Sequence, residues 1–163
     1  MLGKKVYASA GSWRPLILWT AVIVMVGVLP LSDFVGHSHW EYIKWVPTGD
    51  DLRSPKYLAD ILLDLIGNTL LFLPFGFFLS RLLFHSPPSR QLMVVASASG
   101  FLSLGIEFYQ VYCHSRFPSI FDVVTNMAGA LMGVRLSISR MDRSPAAQKS
   151  PFTPIPPDHT PAP

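Results

Sequence analysis

Four long runs of apolar residues, separated by shorter polar stretches, dominate the pattern of this chain. An α-helix needs roughly 20 residues to cross a bilayer, and each run is close to that length or longer. The pattern therefore predicts an all-α fold, a polytopic membrane bundle of four transmembrane helices with a long outer loop at residues 36–57. The predicted spans are residues 16–35, 58–84, 92–112 and 120–138.

The two ends of the chain do not share this pattern. Residues 1–15 are interpreted as a cytoplasmic leader, because no small-residue cleavage site follows the first apolar run. Residues 139–163 are predicted to be a disordered, proline-rich cytoplasmic tail. Seven of the fifteen prolines lie between Ser144 and Pro163, and proline at that density is incompatible with regular helix or sheet.

Composition supports a membrane protein. Half of the residues are hydrophobic and only 14% are charged, whereas a soluble domain carries about a quarter charged residues. Membrane lipids are the expected partners, and a net charge of +3 gives no reason to expect nucleic acid. No cofactor is expected. No metal site is predicted either, because His37 and His39 in the outer loop lack a further ligand, and the single cysteine excludes an internal disulfide.

Basic residues predict the orientation, since short cytoplasmic loops are enriched in lysine and arginine. Nine of them fall in the leader, the turn between spans two and three, and the segment after span four. Four fall in the outer loop and in the turn between spans three and four. Both termini are therefore predicted to face the cytoplasm.

Costly polar residues interrupt the predicted spans. A charged side chain near the centre of a span costs about 2.5–3.5 kcal/mol, and less toward the interface. With a rise of about 1.5 Å per helical residue, all of these groups fall in the outer half of the predicted bilayer. We therefore expect one polar pocket that opens outward. The candidate ligand-binding residues are Asp64, Asn68, Glu107, Gln110, Arg116, Asp122 and Asn126.

Structural interpretations of the same residues remain open. Asp122 follows Ser119 at the spacing of a helix-capping box, and asparagines within spans can form interhelical hydrogen bonds. If the pocket exists, Arg116 is the expected counter-ion of Glu107 or Asp122. Four further residues are predicted to serve helix packing or kinking, namely Pro74, Gly76, Gly129 and Gly133.

Two spaced motifs resemble those of VanZ-like membrane proteins. The segment Asp64–Ser80 resembles the N-x3-F-x-P-x-G element of that family, carried by Asn68, Phe72, Pro74 and Gly76. The second motif, E-x2-Q-x5-R-x5-D-x3-N-x2-G-x3-G, is matched by Glu107, Gln110, Arg116, Asp122, Asn126, Gly129 and Gly133. The two motifs cover roughly residues 60–134, and the first span and outer loop match less clearly.

The resemblance implies a bacterial cytoplasmic (inner) membrane protein that acts near cell-envelope precursors, because the family is named after a protein linked to low-level teicoplanin resistance. Our leading hypothesis is a pocket that binds a polar or lipid-linked envelope precursor, with Arg116 against an anionic group. One alternative is a membrane-embedded transferase or hydrolase with Glu107 as general base, assisted by Asp122 or Asp64. The other is a structural or interaction module in which the polar groups lock the bundle.

Overall fold

The computed structural model describes residues 12–42 and 55–142. Over these ranges the chain is all-helical, with four α-helices and no strand. The helices are α1 (Trp13–Val28), α2 (Pro55–Leu82), α3 (Pro88–Gln110) and α4 (Ile120–Asp142). Most of the predicted leader, part of the outer loop (43–54) and nearly all of the predicted proline-rich tail (143–163) lie outside the described residues.

The first helix is shorter than its apolar run. It begins after Ser12, whose hydroxyl accepts a hydrogen bond from the Arg14 amide at 3.3 Å, and it ends at Val28, where the sequence predicts Val35. A proline disfavours the helical conformation in the residue that precedes it. Leu29 precedes Pro30 and is extended, so the helix ends there. At 1.5 Å per residue, α1 is roughly 24 Å long, which is less than the ~30 Å hydrocarbon core of a bilayer.

A hydrogen bond attaches α1 to α2 next to the proline inside α2. Pro74 lacks an amide hydrogen and leaves the carbonyl of Leu70 without its usual helical donor. The next carbonyl, that of Leu71, accepts a hydrogen bond from the Trp19 indole nitrogen at 2.7 Å. Helix α1 is thereby attached to α2 at the level of the proline.

Helices α2 and α4 form the closest pair in the bundle, because glycines line their contact. A Cβ atom at Gly129 would collide with the backbone carbonyl of Thr69, and one at Gly133 with the carbonyl of Leu73. Gly76 faces α4 from the other side with equally little room. The structure thus places the predicted small-residue face of α4 directly on the backbone of α2.

An apolar core fills the centre of the bundle and draws on all four helices. Phe72 and Val95 are almost completely inaccessible. The buried apolar residues of this cluster are Leu16, Ile23, Phe72, Phe75, Val95, Ala130 and Val134.

The outer faces of the helices are also apolar. Leu70 on α2 and Phe101 on α3 are 60% and 77% exposed, and large exposed apolar surfaces are unusual on a protein in water. Two helices, Leu58–Leu82 within α2 and Pro88–Gln110, are long and apolar enough to cross a membrane, and α1 is apolar but shorter. That all four helices cross a membrane stays a prediction.

The segment after α1 packs on the turn between α3 and α4. The Val35 and His39 amides donate hydrogen bonds to the carbonyls of Tyr112 and Val111, at 3.0 and 2.9 Å. Phe34 forms an isolated antiparallel bridge with Cys113. These contacts bring the end of α1, the end of α3 and the start of α4 to the same end of the bundle.

Candidate functional site

The start of α4 is capped by a carboxylate from α3. Ser119 precedes the helix, and its hydroxyl accepts a hydrogen bond from the Phe121 amide at 3.2 Å. In a capping box, Asp122 would accept from the Ser119 amide. That amide instead donates to Glu107 Oε2 at 2.9 Å. The carboxylate of Asp122 is therefore not the acceptor of the Ser119 amide.

Asp122 turns toward α2. Its carboxylate is hydrogen-bonded by the side chain of Asn68, and it lies within electrostatic range of Asp64. Asp64 and Asn68 are four residues apart on α2 and so share one face of that helix. Asp60, one turn earlier, is exposed and does not line the site.

The end of α1 is capped by side chains from the region around the α3–α4 turn. The last carbonyls of a helix have no partner within it. Gln110 donates to the carbonyl of Gly27 at 3.0 Å, and Arg116 donates to the carbonyl of Leu29 at 2.7 Å. Both side chains thus satisfy backbone oxygens that would otherwise be orphaned.

Asn126 lies deepest in the site. Its side-chain nitrogen donates to Ser103 Oγ at 2.8 Å, and the residue is only 6% exposed. Its Oδ1 is buried and accepts no hydrogen bond from the described residues. A buried acceptor without a donor is costly, by about 1–3 kcal/mol.

All seven residues predicted as ligand-binding line one cavity of about 280 Å³, hereafter the polar cavity. Three of them are acids and one is basic. Apolar residues of α1 and α2, including Ile23 and Phe72, complete the wall. The predicted residues on it are Asp64, Asn68, Glu107, Gln110, Arg116, Asp122 and Asn126.

The expected ion pair of Arg116 is not formed. In the described part of the chain, no carboxylate of Glu107 or Asp122 lies within 4.0 Å of its guanidinium, and the one ion pair found there joins His39 to Glu41. Arg116 and Asp122 both interact electrostatically with Glu107 at longer range. The physical reason is that the guanidinium is drawn to the free carbonyl at the end of α1, a contact that side-chain charge alone does not predict.

Sequence reasoning missed the serine contribution to the site. Ser103 binds Asn126, and Ser99 and Ser103 are fully buried on α3. Ser99, Ser103 and Glu107 recur every four residues, which places them on one helical face. That spacing was the available signal for a polar stripe on α3.

Metal ligation is not a feature of the described residues. Within 12–42 and 55–142, no group of three or more His, Cys, Asp or Glu side chains could hold a metal ion. The imidazole rings of His37 and His39 pack edge to face, with centroids 4.6 Å apart.

The chain was then compared with known proteins. A family model described as VanZ/LLP1 matches residues 15–140, which is most of the chain and contains every residue of the polar cavity. The chain belongs to the VanZ-like family. Searches of curated proteins and of solved structures gave no match.

The VanZ-like match is wider than the two sequence motifs. It includes nearly all of α1 and the segment that follows it, for which the motifs gave little indication. Family membership and the two apolar helices together suggest a membrane protein.

Proposed function

We propose that this VanZ-like protein is an integral membrane protein whose polar cavity binds the polar head of a cell-envelope or lipid-linked molecule. The observation that carries the proposal is the convergence of seven polar residues from α2, α3, α4 and the α3–α4 turn on one cavity. In the proposed arrangement all four helices cross the bacterial inner membrane, both termini lie in the cytoplasm, and the cavity opens outward.

The cost of the cavity supports a binding role. Asp64, Glu107 and Asp122 line the cavity from α2, α3 and α4, and none of the three forms an ion pair with a described cation. Carboxylates are expensive in a membrane domain, and they persist mostly where they serve a ligand or a partner. A ligand that donates hydrogen bonds or carries a cation would offset this cost.

Size limits what the cavity can hold. At about 280 Å³ it is at the small end of ligand pockets, which span about 300–1,000 Å³. This volume favours a small headgroup over a complete sugar-peptide precursor, so any larger envelope molecule would insert only part of itself.

A structural role is the second candidate, and specific hydrogen bonds favour it. Glu107, Gln110 and Arg116 each bind a backbone group at a helix end or turn. If capping these backbone groups were the only role of the three side chains, the cavity between them would have no binding function. The Oδ1 of Asn126 argues for binding, because it is buried and has no hydrogen-bond donor among the described residues.

The test is lipid retention by the protein in nanodiscs, measured by native mass spectrometry with Arg116→Ala and Asp122→Asn. Losing one charge-assisted hydrogen bond costs about 1.5–3 kcal/mol, so retention of the bound molecule should fall about tenfold or more. Asp60→Asn is the matched control, since Asp60 lies on α2 outside the cavity. Equal retention by wild type, the cavity variants and the control would contradict the proposal.

A further inference from the structure

A second, apolar cavity adjoins the polar one. This apolar groove, about 480 Å³, lies between α3 and the start of α4. Its walls include Phe101, Phe108 and Val123, with Trp40 contributed by the segment after α1. Gly105 leaves the groove open, because no atom lies within 4 Å of the position that its Cβ would take.

Glu107 connects the two spaces. It lines both the polar cavity and the apolar groove, and its partner Ser119 lines the groove. A molecule with a polar and an apolar part could therefore place its head on one side of Glu107 and its chain on the other. Phe101 and Phe108 are 77% and 57% exposed, so the groove is open along the outer face of the bundle, where an apolar chain would enter from the side.

Charges of both signs line the polar cavity. Asp122 interacts electrostatically with Asp64 and with Glu107, and Arg116 interacts with Glu107. Asp64 and Asp122 therefore repel each other, and in the described ranges no cation is ion-paired with either. Arg116 provides the opposite charge within the same cavity.

Asn126 provides an independent indication of a ligand. The residue is only 6% exposed and lines the cavity. Its Oδ1 has no hydrogen-bond donor among the described residues. An ammonium or hydroxyl group in the cavity would supply that donor.

From these observations we propose, resting on the function proposed above, that the ligand is a phospholipid-like amphiphile with a zwitterionic head. Its amine lies against Asp64 and Asp122 and its phosphate against Arg116, while its apolar chain occupies the groove beyond Glu107. A purely anionic head would gain Arg116 but face three carboxylates. Phosphoethanolamine has both charges and is small enough for a cavity of this size.

The groove is tested by filling it. Gly105→Leu places a side chain in the groove, at a position where an added Cβ has no atom within 4 Å. Gly67→Leu on α2 is the matched control, because an added Cβ there is equally free of contacts and the residue lies outside both cavities. In nanodiscs of mixed lipids, native mass spectrometry should find retention of phosphatidylethanolamine about tenfold lower in Gly105→Leu and unchanged in Gly67→Leu. Equal retention by these two variants would overturn the assignment of the groove.

The head is tested by lipid choice. Wild type should retain phosphatidylethanolamine about tenfold better than phosphatidylglycerol or phosphatidic acid, and Asp122→Asn should remove that preference. If the wild-type protein preferred either anionic lipid, the assignment of a zwitterionic headgroup would be wrong.

Failure of the inference can be told apart from failure of the proposed function. Lipid retention that depends on Arg116 but not on Gly105 rejects only the groove. Retention that depends on neither residue rejects the binding function itself.

Discussion

Individual polar side chains in this membrane-type bundle divide into two groups by what they contact. Glu107, Gln110 and Arg116 satisfy backbone groups at helix ends and turns, and such groups are costly to leave unpaired away from water. The buried Oδ1 of Asn126 satisfies no such backbone need. Capping therefore explains part of the polar cavity, and ligand binding is the proposed explanation of the remainder.

Glu107 allows the two roles to be separated. Glu107→Ala removes the acceptor of the Ser119 amide, and we expect the free energy of unfolding to fall by about 1–2 kcal/mol, as for loss of a helix cap. Glu107→Gln keeps a side-chain oxygen that can accept the same bond, so most of that stability should remain. Reversible unfolding in detergent, followed by circular dichroism, measures both.

The comparison also has an outcome that would refute the capping role. If Glu107→Ala were as stable as wild type, the hydrogen bond to Ser119 would contribute nothing. If Glu107→Gln is as stable as wild type, its lipid retention reports on binding alone.

Among the helices, the α2–α4 pair sets the level at which the polar residues meet. Gly129 contacts the backbone of Thr69, the residue after Asn68. Because the two backbones touch there, Asp122 on α4 is held against Asn68 and Asp64 on the polar face of α2. Glycine packing and the polar cavity are thus parts of one arrangement.

Gly129→Ala should be strongly destabilising. The added Cβ would meet a backbone carbonyl, which cannot rotate away as a side chain could, so the helices must separate at a cost of about 1–3 kcal/mol. Gly67→Ala and Gly105→Ala are the controls. They meet no atom within 4 Å, and in a helix they should be neutral or stabilising by up to about 1 kcal/mol. Thermal unfolding in detergent compares the three, and equal melting temperatures would mean that α2 and α4 are not in close contact.

Much of the element order was predictable, because long apolar runs determine where helices form. Seven of the polar residues that line the cavity could be named from the sequence, because depth along a helix follows from the residue number, but Ser115 could not, and a ligand-binding role for any of them stays a prediction. Their hydrogen bonds were not predictable, since Gln110 and Arg116 bind carbonyls that become free only when α1 ends at Val28. The apolar groove gave no signal in sequence, because ordinary apolar residues such as Phe101 and Val123 line it.

At the level of the whole molecule, the polar cavity belongs to one end of the bundle. The segment after α1 is hydrogen-bonded to the α3–α4 turn at that end, and Arg116 from the turn reaches the end of α1. The opposite end carries the α2–α3 turn with Arg81 and Arg90 close to it. Basic residues favour the cytoplasmic side, so the proposed orientation directs the cavity outward.

Cysteine accessibility tests that orientation. The natural Cys113 is 2% exposed, and burial raises the pKa of its thiol, so it should react slowly. In a Cys113→Ser background, Ser38→Cys places an exposed thiol after α1, and Ser89→Cys places one at the α2–α3 turn. A membrane-impermeant maleimide applied to intact spheroplasts should label Ser38→Cys and reach Ser89→Cys only after permeabilisation. Labelling of Ser89→Cys alone from the outside would show the reverse orientation, with the polar cavity on the cytoplasmic side, away from envelope molecules. Labelling of both variants from the outside would contradict the proposed arrangement of the helices.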